Sequence, residues 1–74
     1  MPHVNIKHFP TTVSDEQMTE LIAAVTSAVQ SAFGCAEGVI SIATEPVDKE
    51  LWNEWVYVPE IVNRGHLLRK LPNY

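Results

Sequence analysis

A proline stands second in the chain, directly after the initiator methionine. Methionine aminopeptidase generally removes Met1 when the next residue is small, and proline qualifies; the ring nitrogen of Pro2 would then be a free secondary amine. An ordinary α-amino group titrates at about 7.7–8.0. In an apolar pocket its charged form is disfavoured, which leaves the amine unprotonated near neutrality. A base of that kind suits proton transfer beside a carbonyl. Pro2 is therefore the first candidate for a catalytic group. As a bare dipeptide, Met-Pro fits a merely permissible second residue equally well, so the surrounding pattern has to decide.

Proton transfer that builds an enolate also calls for a group to meet the developing negative oxygen. Lys7, Arg64 and Arg69 are the available cations, and His8 and His66 the neutral donors. Lys7 falls on the same strand face as His3 and Asn5, opposite Val4 and Ile6. Arg64 and Arg69 belong to the C-terminal segment, from which they would reach a neighbouring subunit's pocket. Each of these cations fits a solvated surface charge as well. Three histidines do not make a metal site here. His3 and His8 are five apart on a strand and face opposite ways, and His66 is remote, so no metal is expected. Cys35 has no obvious base beside it and reads as inert.

The wider composition narrows the field. At 74 residues the chain is read as one domain over 1–74, and a domain of this size buries only about 60% of its unfolded surface. Small domains usually need disulfides, metal or assembly. Cys35 is the sole cysteine, so an internal disulfide and a Cys-rich zinc site are excluded, and self-association is the remaining remedy. A net charge of −4 with scattered Lys and Arg argues against nucleic acid. No apolar run approaches the roughly 20 residues of a membrane span, and no signal peptide is apparent. A cytoplasmic setting is expected.

The elements that must position these groups are legible in the periodicity. Residues 2–9 (PHVNIKHF) alternate as a strand, broken at Pro10. Ser14 and Gln17 form a capping box, and Asp15 and Glu16 place negative charge in the first helical turn. Met18, Leu21, Ile22, Val25, Val29, Ala32 and Phe33 make one apolar stripe, closed by Gly34 as a left-handed cap. Residues 39–44 (VISIAT) read as a second strand. Strand, helix and strand give a βαβ unit with parallel strands and a right-handed crossover. Its helix covers one sheet face only, whereas parallel sheets are normally covered on both. After Pro46, Asp48 is placed to cap a short helix through Trp52 and Trp55. Pro59 is placed to start another across 60–70, with 56–58 (VYV) as an alternative short strand.

Pro2 opening the first strand, SDEQ at the helix start and VISIATE in the second strand occur in this order at compact spacing. Together they resemble the 4-oxalocrotonate tautomerase group of the tautomerase superfamily over about residues 2–45. Trp52 and the LLRKLPNY tail at 67–74 extend the resemblance to its PptA-type branch. The resemblance implies an α/β (α+β) fold: a β-α-β, MIF-like protomer with a parallel two-stranded sheet, completed by oligomerisation. A homodimer is favoured and a hexamer is the alternative. It further implies an isomerase that uses Pro2 as general base, without cofactor, on small 2-oxo acids or their enols, phenylpyruvate among them. Trp52 matches an aromatic position that walls the family's pocket.

The hexameric enzymes carry an arginine just before the helix start and another in the second strand. The corresponding positions here are Thr12 or Val13, and Ile40. None of these side chains grips a carboxylate in the two-pronged manner of arginine. A doubly charged substrate is therefore disfavoured, and a less charged, aromatic enol fits better. The same absence disfavours a hydratase or decarboxylase of the superfamily. The reading from another class is a non-catalytic oligomeric interaction module that keeps only the fold.

Overall fold

The structure, a computed structural model, describes residues 1–74. Strand β1 (His3–His8) runs into helix α1 (Asp15–Phe33), which returns through a one-turn 3-10 helix (Glu37–Val39) to strand β2 (Ser41–Pro46). β1 and β2 pair in parallel, with His3 opposite Ser41 and His8 opposite Pro46. The ladder opens one residue earlier, where the Ser41 N–H donates to the Pro2 carbonyl at 3.1 Å. A further N–H, from Val47 to the His8 carbonyl at 2.8 Å, closes its other end.

α1 begins and ends where its caps require. The Ser14 hydroxyl accepts from the Gln17 N–H at 3.1 Å, and the Gln17 side chain accepts from the Ser14 N–H at 3.0 Å. Gly34 stops it in the left-handed region at φ 63°, its N–H donating to the Gln30 carbonyl. That backbone conformation strains any side chain with a Cβ, so glycine is required there. The sheet face bearing Val4, Ile6, Ile42 and Thr44 is half-buried, as are Met18, Ile22, Val25 and Val29 on α1. The opposite face, with His3, Asn5 and Lys7, carries the C-terminal segment.

Two boundaries move from their expected places. β2 starts at Ser41 rather than Val39, because Glu37–Val39 winds into a turn that the Ile40 N–H closes onto the Glu37 carbonyl. It also runs through Pro46, a position whose missing N–H an outer strand tolerates. The C-terminal third departs further. Lys49–Leu51 form a 3-10 turn, without a side-chain cap from Asp48, leading into a wide helix at Asn53–Val62. Pro59 lies inside that helix instead of starting a new one, and 56–58 are helical rather than a strand. A proline ring presses on the carbonyl four residues back and has no N–H to donate. The helix is wound with i→i+5 spacing, as where the Asn63 N–H meets the Val58 carbonyl at 2.9 Å, so its turns are wider than those of an α-helix. The helix to Lys70 does not form; a single 3-10 turn (Gly65–Leu67) precedes an extended tail.

Only Val47 and Val56 are fully buried, both outside the β-α-β unit. The accessible surface is 5866 Å², against about 4,600 Å² for a compact monomer of this mass. Its radius of gyration, 13.9 Å, exceeds the ~11 Å of a compact chain of equal length, and its extents are 36 × 32 × 19 Å. The chain is a flattened slab with much of its apolar side chain outside, including Phe33 at 72% and Leu71 at 71% exposure.

Candidate active site

Pro2 is half-buried at the head of β1, and Met1 ahead of it is 98% exposed. Carrying the ladder register back one step sets Pro2 opposite Ile40, itself half-buried. With Met1 attached, the Pro2 nitrogen is a tertiary amide that cannot take up a proton. Strand alternation puts the Pro2 and Ile40 side chains with Val4 and Ile42, away from the face that holds Lys7.

On that second face lies a cleft of about 550 Å³, within the range of small-molecule sites. Its β1 wall is His3, Asn5 and Lys7, and the C-terminal segment supplies Trp52, Val56, Glu60, Ile61, Arg64 and Leu68. Three of the residues singled out in the sequence thus meet in one cavity: Lys7, Trp52 and Arg64. Pro2 stands next to it, one residue before His3, and Ile40 is not part of its wall. Arg64 lines a cleft of its own chain, where a neighbouring subunit's pocket was expected. The turn after the wide helix brings it back across β1. Arg69 lines no cavity.

The cleft's polar groups are held by few contacts. His3 Nδ1 and Ser41 Oγ share a hydrogen bond of 2.6 Å across the ladder. The Asn5 amide donates to Glu45 at 3.2 Å. Glu60 lies 3.8 Å from Lys7 through one oxygen and 3.8 Å from Arg64 through the other. His8 is turned away, its Nδ1 donating to the Phe9 carbonyl at 2.7 Å. No group of three or more His, Cys, Asp or Glu side chains comes together in a metal-holding arrangement.

Trp52 separates this cleft from a second, apolar recess of about 420 Å³ lined by Phe9, Trp52 and Tyr74. Phe9 meets Trp52 edge-on, centroids 5.0 Å apart at 85°, a favourable arrangement of ring quadrupoles. Tyr74 also lies 5.8 Å from Tyr57, ring to ring. The Trp52 indole N–H donates to the Tyr74 hydroxyl at 3.3 Å, long for such a bond and so easily exchanged.

The family model described as "Tautomerase enzyme" matches residues 2–53, which take in Pro2, the β-α-β unit and Trp52. The chain belongs to the tautomerase family. It is similar along its whole length to curated proteins called Tautomerase PptA, over 97% of each. Identity is 30% with that of Pectobacterium carotovorum subsp. carotovorum and 36% with those of Enterobacter sp. (strain 638) and Klebsiella pneumoniae. The PptA-type resemblance read in the sequence therefore holds, and so does the isomerase class; the non-catalytic module is set aside. In this tautomerase the segment beyond residue 53 supplies Glu60 and Arg64, two of the cleft's charges, and Tyr74, which lines the neighbouring apolar recess. His3, Asn5, Glu60, Phe9 and Tyr74 were not expected as site residues. The alternation of β1 carried the signal for His3 and Asn5, and the four-residue spacing of Glu60 and Arg64 the signal for a helical ion pair. Nothing local marks Tyr74.

Proposed function

We propose that this tautomerase, a single domain over 1–74, interconverts the keto and enol forms of small 2-oxo acids, aromatic ones such as phenylpyruvate included. Pro2, freed by removal of Met1, is its general base. One observation carries the reading: Pro2 heads β1 half-buried and ladder-bound, beside a cleft that joins cationic and apolar walls. Met1 is open to solvent and so within reach of a processing enzyme. Ile40 opposite Pro2 offers an apolar neighbour, which favours the uncharged amine. The free nitrogen accepts the enol hydroxyl proton and returns it to the adjacent carbon, so the proton count closes without cofactor or metal. Lys7 and Arg64 hold the substrate carboxylate and the developing oxyanion, and Trp52 walls the organic body. The setting is the cytoplasm.

The particle is a homodimer, with a hexamer as the alternative assembly. Roughly 1,300 Å² of surface beyond that of a compact monomer is of the order a protein interface buries. Sedimentation at micromolar concentration is expected to give at least twice the chain mass of 8.3 kDa; a monomer there would refute this assembly.

Substrate charge tests the reading further. The enol of phenylpyruvate is expected to be converted with kcat/KM at least about tenfold above that of 2-hydroxymuconate, because Ile40 and Thr12 or Val13 offer no second carboxylate grip. A large preference for the dicarboxylate would defeat that assignment, and no turnover of either by processed protein would defeat the activity proposed.

A further inference from the structure

The cleft holds three charged side chains, Lys7, Arg64 and Glu60, and their formal sum is +1 in a chain whose net charge is −4. Glu60 spans the two cations, one carboxylate oxygen toward each, at 3.8 Å on both sides. Those distances lie beyond hydrogen-bond range. Neither the Lys7 ammonium nor the Arg64 guanidinium donates a hydrogen bond to any other protein group, so their donors remain unspent. The Glu60 side chain is 42% exposed, and ion pairs so open to water are weak. Below the charges the wall is apolar, formed by Trp52, Val56, Ile61 and Leu68.

We propose that Glu60 is a resident carboxylate: it occupies the place between Lys7 and Arg64 that a ligand's carboxylate takes, and it sets how many negative charges the cleft accepts. The ligand is an organic monocarboxylate with an apolar body; that it is the substrate rests on the function proposed above. On entry its two oxygens replace those of Glu60 between the same cations, and the Glu60 carboxylate is pushed to the rim of the cleft, still within about 5 Å of the ligand. No bond is made or broken. With Glu60 ionised, one ligand carboxylate neutralises the cleft and a second is repelled. Glu60 is thus a specificity-determining residue that selects monoanions, and it offsets part of the affinity the two cations supply.

The test is a binding titration followed by the Trp52 indole N–H signal in NMR, using phenylacetate, phenylmalonate and the neutral phenylacetamide. Against the unaltered protein, Glu60→Gln is expected to bind phenylacetate roughly fivefold and phenylmalonate roughly twenty-fivefold more tightly, from one removed charge at about 5 Å in a wet site. Phenylacetamide affinity stays the same. The Lys7→Gln/Arg64→Gln double variant is expected to lose the preference for phenylacetate over phenylacetamide. A folded Glu60→Gln protein that binds both acids no better, or binds the amide equally more tightly, overturns the proposal. Should that variant not fold by circular dichroism, the unaltered protein still decides: phenylmalonate binding tenfold tighter than phenylacetate overturns it, and equal or weaker binding supports it. The titration needs no turnover. Absent enol-to-keto activity therefore counts against the catalytic reading alone, and unchanged acid binding counts against Glu60 alone.

Discussion

Pro2→Ala is expected to lower the enol-to-keto rate on phenylpyruvate by about 10²-fold, within the range a positioned general base supplies. Alanine is small enough for Met1 still to be removed, so a primary amine would remain at the same place. It lacks the ring that fixes the nitrogen at the head of β1, and it carries a larger hydration shell to shed. A second form sharpens the result. A protein carrying an unprocessed Gly-Ser leader before Met1 keeps the Pro2 nitrogen as an amide, and it is expected to lose the whole contribution, up to about 10⁴-fold. Intact mass must accompany each assay, since only the processed chain exposes the amine. Equal rates for processed wild type, Pro2→Ala and the leader form would remove Pro2 from the mechanism.

The largest structural effect is expected at Val47. It is 2% exposed, and its N–H closes the ladder onto His8. Val47→Asp sets a carboxylate there with no cation arranged to meet it. The cost is more than about 3 kcal/mol, a large share of the roughly 5–15 kcal/mol that holds a domain together. Thermal unfolding followed by circular dichroism should find this variant unfolded or nearly so at 37 °C. Val47→Ala, which only leaves a gap, should cost about 1–2 kcal/mol and stay folded. A Val47→Asp protein melting within a few degrees of the wild type would mean that the core lies elsewhere.

The sequence was most informative where one residue determines one local geometry. Ser14 and Gln17 could only reciprocate at a helix start, and Gly34 could only end one in the left-handed region, so α1 was legible to the residue. The period of two in β1 likewise separated Lys7 from Val4 and Ile6, and the cleft confirms that division. The C-terminal third was not legible for the converse reason. A proline such as Pro59 commonly opens a helix, and no local pattern marks the wide-turn helix that instead runs through it and buries Val56. Arg64 was expected to serve a neighbour because its approach to Lys7 depends on that unforeseen helix and the turn behind it. Tyr74 reaches Trp52 by way of a tail with no regular structure, and no periodicity encodes such a path.

The first rung of the ladder has a further consequence. It is made by the oxygen of Pro2, so the rung needs no hydrogen from the Pro2 nitrogen, whether that nitrogen is an amide or a free secondary amine. Cleavage of the preceding peptide link therefore changes the reactivity of that atom and leaves the pairing of the two strands as it was. With Met1 removed as proposed, trimming and folding can proceed in either order, and a chain trimmed late would already have its scaffold waiting.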